Sequence, residues 1–181
     1  MTQFDTLYTL PVAQRWREQL YPTPIVGALI RRDSHYLLIR RNSAPYKDLW
    51  ALVGGKWDFG EELSTAVIRE VKEETGLDSH FVALRGLVNE RFIEDNTGAH
   101  FLIFLCEIRA ESGTACEQKE GIVAWFTRPE IDNLASQKAI VPSDYAMLTE
   151  FAETSLNAPV VEVHMQGDGD KTTLHRFERT G

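Results

Sequence analysis

Apolar and polar positions alternate in short blocks along the first part of the chain, and the period changes near residue 63. Residues 25–30 (Ile-Val-Gly-Ala-Leu-Ile) and 36–40 (Tyr-Leu-Leu-Ile-Arg) are apolar runs of strand length, separated by a polar Arg32-Asp33-Ser34-His35 turn. A third run, residues 49–53, leads into Gly54-Gly55. Beyond it the apolar positions Leu63, Val67, Ile68 and Val71 recur at helical spacing, with no proline or glycine before Gly76. That pattern predicts a helix over Leu63–Thr75 that stops on a left-handed Gly76. Residues 81–91 and 100–108 predict a hairpin around the polar 95–98 turn, and residues 122–126 another strand. Residues 129–134 and 144–154 predict helices, the second N-capped by Ser143. Residues 11–20 predict a short helix with Pro11 in its first turn and Trp16 as apolar anchor.

Strands interleaved with helices, joined by hairpins rather than regular βαβ units, predict an α/β fold with a mixed sheet covered by helices. The expected organisation is a helical extension over residues 1–22, a main domain over 23–157 and a C-terminal β-hairpin extension over 158–181. In that last segment residues 160–165 and 172–177 alternate around Gly167-Asp168-Gly169-Asp170, and the acids of the turn would repel a phosphate. Three roles fit the hairpin: extending the sheet, covering a substrate, or meeting a second copy of the chain in a homodimer.

Composition narrows the partners. The chain has 181 residues and a net charge of -8, which disfavours a nucleic-acid backbone as partner. Two cysteines, Cys106 in an apolar run and Cys116 in a loop, give no disulfide framework and point to a reducing cytoplasm. No basic segment followed by an apolar stretch opens the chain, and no apolar run reaches membrane-spanning length, so no membrane partner is expected.

The chemistry concentrates between Gly55 and Leu77, which reads G-x5-E-x7-R-E-U-x-E-E-x-G-U with U aliphatic. On the predicted helix Glu70, Glu73 and Glu74 fall within an arc of about 100°, beside the apolar arc of Val67, Ile68 and Val71. One flank is then expected to bury against the sheet while the acids gather at its edge. Glu70 and Glu74 are a like-charge i,i+4 pair that alone weakens a helix by a few tenths of a kcal/mol, a penalty a divalent cation removes. Oxygen-only ligands select a hard ion, Mg²⁺ or Mn²⁺. An isolated E-x-x-E-E string is ordinarily a solvated helix face.

With every fixed position filled, this segment resembles the signature of the Nudix (MutT-type) hydrolases. The resemblance implies an α/β/α sandwich over about residues 23–154 and water attack on a phosphorus of a nucleoside diphosphate linked to a further group. It implies metal ligation by Glu70, Glu73 and Glu74, with the Gly54 carbonyl (or that of Gly55) as a further ligand. Glu120, in the loop before residues 122–126, is the outlying candidate for ligand or base. General-base duty stays open among Glu73, Glu70 and Glu120. Arg69 and Glu61 are expected to pair and orient the acids. Trp57 and Phe59, in the loop inside the motif, are candidates for stacking a base, as are Tyr46, Phe92 and Trp125. Asp144 is a candidate to accept hydrogen bonds from a purine edge, or else an acid complementing a helix dipole.

Extra signatures of Nudix subfamilies are absent. The ADP-ribose type usually has a proline within the stretch matching residues 89–95, where this chain has none, and the NADH, coenzyme A and dinucleoside-polyphosphate signatures are also missing. Elimination leaves a nucleoside or deoxynucleoside triphosphate pyrophosphohydrolase, with ADP-ribose or a nucleotide sugar as alternative. A non-catalytic nucleotide-sensing module is the alternative of another class, although every acid of the motif is present.

Overall fold

The structure is a computed structural model that describes residues 21–43, 46–94, 97–112, 115–116, 118, 121–153, 157–168 and 171–180. The expected helix over residues 11–20 lies outside them, as do Glu120 and the tip of the 95–98 turn at residues 95 and 96.

The chain builds one seven-stranded mixed sheet from β1 (Thr23–Arg32), β2 (His35–Arg41), β3 (Trp50–Ala51), β4 (Val53–Lys56), β5 (Asp78–Glu94), β6 (Thr97–Ser112) and β7 (Gly121–Thr127). β1 is its centre, and one of its edges is shared. It runs parallel to β6 along its length, from Thr23 opposite Phe101 to Arg31 opposite Arg109. On the other edge its first half pairs with β4, Ile25 facing Lys56 through Ala28 facing Val53, while only Arg31 and Arg32 pair with β2. The single strand expected over residues 49–53 therefore divides at Leu52, with β3 joining β2 and β4 joining β1. The hairpin of β5 and β6 forms, lengthened at both ends and offset by register shifts at Asp78/Ser79, Phe81/Ala83 and Leu84/Gly86.

Strand alternation sends side chains to two cores. Val26, Ala28, Ile30, Leu37 and Ile39 pack with Leu63, Ala66, Val67 and Val71 of α1 (Leu63–Thr75). Leu29, Leu38, Ile103 and Leu105 pack on the opposite side with Ile131 of α2 (Arg128–Ser136) and Met147 and Leu148 of α3 (Pro142–Phe151). The result is the helix–sheet–helix layering the pattern predicts. α1 ends on Gly76, left-handed at φ 73°. α2 begins with a capping box between Thr127 and Glu130.

One cap differs from expectation. α3 starts at Pro142, not after Ser143; Val141 precedes it without a side-chain cap bond. Proline at the first helical position has the right φ and lacks only an N–H that would be orphaned anyway, so the helix starts earlier. The C-terminal strands β8 (Val160–Asp168) and β9 (Lys171–Thr180) pair with each other in a separate two-stranded sheet. Ala158 N–H donates to Leu84 O at 2.8 Å, and Val160 packs against the α1-side core. Among the described residues no helix is long and apolar enough to cross a membrane.

Candidate active site

Two glycines make room for two carboxylates. Gly54 has φ 151°, and a Cβ there would stand 2.2 Å from the Val26 carbonyl oxygen, so only glycine lets β4 close onto β1 at that point. Its N–H donates to Glu74 Oε2 at 2.9 Å. A Cβ on Gly55 would lie 2.5 to 2.7 Å from the carboxyl atoms of Glu70, which pack directly over the glycine. Thus the turn and the acids occupy one another's space, and the helix register sets which acids meet it.

Arg69 organises the loop that precedes the helix. Its Nε and Nη2 donate to the two carboxylate oxygens of Glu61, both at 2.9 Å, its Nη1 donates to Glu70 Oε1 at 2.7 Å, and Nη2 reaches Lys56 O at 3.0 Å. Glu73 Oε2 lies 3.6 Å from the same guanidinium. The fork geometry of arginine is needed for so many directed bonds. The Arg69 hydrogen bond holds the Glu61 carboxyl below the usual carboxylate range, and Glu61 in turn raises the arginine above its ordinary value, with Glu70 contributing.

The acids of α1 divide differently from the predicted arc. Glu70 is 8% exposed and Glu74 3%, on the same flank as the fully buried Val67 and Val71, whereas the Glu73 side chain is 59% exposed. The helix thus buries two carboxylates with its apolar flank instead of leaving all three at the edge. The reason is local: Gly54 and Gly55 supply an N–H and an unobstructed backbone where a side chain would otherwise stand.

These acids line a cavity of about 540 Å³ that also takes in Gly54, Gly55 and Asp58. By donor chemistry the site fits a hard divalent cation, because its ligands are oxygens only and two buried like charges on one helix call for positive charge. It is not a finished cage: among the described residues no three Asp, Glu, His or Cys side chains are grouped closely enough to hold one ion.

The same cavity extends to α3 and β5, where it is lined by Asp144, Met147, Glu90, Tyr46 and Arg41. Asp144 stands in the first turn of α3, yet its Oδ2 accepts the Leu52 N–H at 2.7 Å, across 92 residues of sequence, rather than capping its own helix. Burial pushes its carboxyl up to about 7; the Leu52 bond and Arg41 oppose the rise and Glu90 adds to it. Tyr46, half-buried at a positive φ of 66°, is raised by burial and by the neighbouring Glu90 and Asp144. A bulky residue at positive φ is an outlier that surrounding structure must hold in place.

The structure therefore brings Gly54, Glu70, Glu73, Glu74 and Asp144 to one cavity. It does not bring Trp57 or Phe59 there. Trp57 donates its indole N–H to Glu61 O at 3.0 Å and packs edge-on against Phe104, so it braces the motif loop. Phe59 sits wholly exposed at the loop tip. Glu90, like Arg41 and Met147, lines the cavity without having been a candidate on sequence. Its signal was an acid standing between Val88 and Phe92 in the two-residue alternation of a strand.

Comparisons with known proteins point to one family. A NUDIX domain profile matches residues 21–151. An ADP-ribose pyrophosphatase of Methanocaldococcus jannaschii is 33% identical over 95 residues, covering 52% of this chain and 56% of that protein. A MutT-like protein of Streptomyces ambofaciens is 30% identical over 113 residues, covering 62% of this chain and 68% of its own. Among solved structures, a MutT NUDIX hydrolase from Burkholderia pseudomallei superposes with a TM-score of 0.62 at 29% identity, over 72% of this chain and 98% of that one. The chain spans about half the length of the first of these relatives. With the domain match covering well over half its residues and the glycine–glutamate turn in place, the chain belongs to the Nudix family.

Proposed function

We propose that this protein hydrolyses a phosphoanhydride bond of a nucleotide-linked substrate with the help of a divalent cation, Mg²⁺ or Mn²⁺. The observation that carries the proposal is the pair of buried carboxylates, Glu70 and Glu74, seated on the Gly54-Gly55 turn in a cavity large enough for a nucleotide. Glu70, Glu74, the exposed Glu73 and the Gly54 carbonyl would hold the ion, and Glu120 joins them on sequence grounds alone. When bound, the ion neutralises charge on phosphate oxygens and makes water a nucleophile at neutral pH.

The chain's own groups have three tasks in this reading. Arg69 and Glu61 fix the Glu70 carboxylate, so the site need not reorganise when substrate arrives. One of Glu73, Glu70 or Glu120 takes the proton of the attacking water; within one cluster their titrations are coupled. Asp144 accepts hydrogen bonds from a base edge.

A nucleoside or deoxynucleoside triphosphate is the preferred substrate, supported by the absence of proline from residues 89–95 and by two acids on the α3 side of the cavity. ADP-ribose or a nucleotide sugar is the second reading, favoured by the relative named an ADP-ribose pyrophosphatase. The deciding experiment follows Mg²⁺-dependent release of phosphate, pyrophosphate or nucleoside monophosphate from a panel of triphosphates, ADP-ribose and nucleotide sugars. Triphosphates are expected to turn over fastest. ADP-ribose as best substrate overturns the triphosphate reading, and no turnover of any member returns the chain to the sensing-module class.

A further inference from the structure

The run over residues 50–52 is held on both edges. On one edge Trp50 and Ala51 pair with Arg40 and Ile39 of β2. On the other, the segment between α2 and α3 adds a short parallel bridge centred on Ile140. Trp50 N–H donates to Ala139 O at 2.9 Å, and Val141 N–H donates to Trp50 O at 2.8 Å. In a parallel ladder each residue bonds to the neighbours of the one opposite, so the next rung would run from Leu52 N–H to Val141 O. That carbonyl is already taken. It accepts Tyr145 N–H at 3.0 Å as the first bond of α3, because the helix starts at Pro142. Leu52 N–H donates instead to Asp144 Oδ2 at 2.7 Å. The carboxylate thus stands in for the strand carbonyl that the helix has drawn away. Without it the N–H of a residue only 8% exposed would lose its acceptor, which is costly.

Leu52 is also where the chain passes from β3 to β4. Val53, next in sequence, opens β4 opposite Ala28. Gly54 follows, its N–H on Glu74 and its backbone so close to Val26 O that a side chain has no room. A shift at Leu52 therefore reaches, within two residues, the turn on which Glu70 and Glu74 rest. The tight approaches at Gly54 and Gly55 leave no slack to absorb it.

We propose that Asp144 is a positioning residue for the cation site: by holding Leu52 it fixes the Gly54-Gly55 turn against the α1 acids, and so couples the start of α3 to the affinity for Mg²⁺. The inference rests on the divalent-cation reading of that turn. Groups that orient a metal ligand from behind commonly change metal affinity by roughly 10–100-fold when removed. Asp144 acts through two further residues of backbone, so a smaller change is expected. Only Oδ2 is committed in this way, and the base contact proposed above is left to the other oxygen.

The test measures Mg²⁺ affinity by calorimetry, with no nucleotide present, in wild type, Asp144→Ala and Asp144→Asn. Alanine removes the acceptor and should weaken Mg²⁺ binding at least about 5-fold. Asparagine removes the charge but keeps an acceptor oxygen, and should stay within about 2-fold of wild type. A folded alanine variant with wild-type affinity overturns the inference. So does an asparagine variant as weak as the alanine one, because the carboxylate would then act by its charge alone. A second measurement needs no variant. By linkage, Mg²⁺ strengthens the Leu52 bond by the same factor that the bond strengthens Mg²⁺ binding. Amide hydrogen exchange at Leu52 in the wild type should therefore slow on saturation with Mg²⁺, by at least about 3-fold more than exchange at Ile131 in α2. Equal slowing at the two amides overturns the inference even where the alanine variant does not fold. A wild type that binds no Mg²⁺ loses the cation reading and this inference with it. One that binds Mg²⁺ without regard to Asp144 loses the inference alone.

Discussion

Glu70 and Glu74 on one side of the cavity, and Glu90 and Asp144 on the other, are the same chemistry under different compensation. The α1 pair has directed partners: Arg69 on Glu70, the Gly54 N–H on Glu74, and Glu61 balancing the arginine in turn. In the other pair Asp144 accepts the Leu52 N–H and is drawn down by the charge of Arg41, while Glu90 Oε2 has no hydrogen-bond partner. Buried acids with fixed donors are ready to meet a cation without rearranging. Asp144, held by one backbone N–H, is driven by desolvation toward its protonated form. The contrast teaches that the partners of an acid, and not its charge alone, decide what it is ready to meet.

The α1 side carries the largest expected effect. Glu74→Gln and Glu73→Gln should each lower kcat by at least about 10²-fold with the fold intact, since a ligand and its charge are lost. Steady-state kinetics on chelator-treated protein resupplied with Mg²⁺ reads this directly. Near-full turnover in both variants would erase the distinction between the two pairs. Arg69→Lys is the next smaller lesion. One ammonium cannot reproduce the bonds to both Glu61 oxygens, Glu70 and Lys56 O, so a stability loss of about 1–2 kcal/mol and a kcat loss of about 10-fold are expected. Urea unfolding beside kinetics separates the two effects.

What could be read in advance follows the same division. The α1 side is local in sequence: the span Leu63–Thr75 and the stop at Gly76 follow from spacing, and the pairing of Arg69 with Glu61 was implied by the family resemblance of the same 23 residues. The α3 side is assembled from Tyr46, Leu52, Glu90 and Asp144, which come from four separate parts of the chain, and Leu52 stands where β1 divides its edge between β4 and β2. No periodicity reports that division, and so the 49–53 run was expected as one strand. The Asp144 to Leu52 bond was equally hidden, because an acid in a helix's first turn has a local explanation that its tertiary partner overrides. Trp57 and Phe59 drew attention as aromatics in a polar loop, but spacing does not say which way a loop side chain turns.

Stability against pH sharpens the comparison because the two sides slope in opposite directions. Asp144 is raised from 3.8 to about 7, so the folded chain binds this proton more tightly than the unfolded chain does. Its contribution to stability therefore declines as pH rises from about 4 to about 7 and is flat above. Glu61 is lowered, so its contribution is present above its unfolded pKa and is lost as pH falls through its folded value. Asp144→Asn keeps an acceptor for the Leu52 N–H and abolishes the titration. Its stability relative to wild type should be greater at pH 8 than at pH 5, read by urea unfolding at both. A constant difference would mean that Asp144 is ionised at both pH values, and the contrast between the pairs would weaken. Asp144→Ala should in addition change the ranking among triphosphates in kcat/KM.

The smallest expected effect lies outside the cavity but touches α1. Glu62 precedes the helix without a side-chain cap bond, and no acid stands in the helix's first turn. The backbone N–H of Leu63 instead donates to Glu162 Oε1 of β8 at 3.3 Å, so an acid from the C-terminal strands sits at the positive end of the helix that carries Glu70, Glu73 and Glu74. The bond is long and half-buried, and caps of this kind contribute about 0.5–1 kcal/mol. Glu162→Gln should therefore lower the unfolding free energy by no more than that, with kcat within about 2-fold of wild type. Truncation after Ala158 removes the cap and the Val160 packing together, and so should cost more stability, yet every proposed metal ligand lies upstream and Mg²⁺ binding should survive in the folded fraction. Calorimetric titration of Mg²⁺ into the truncated protein decides the point. A folded truncation that no longer binds the ion would make the hairpin part of the α1 side of the site, and the comparison would then be between three elements instead of two.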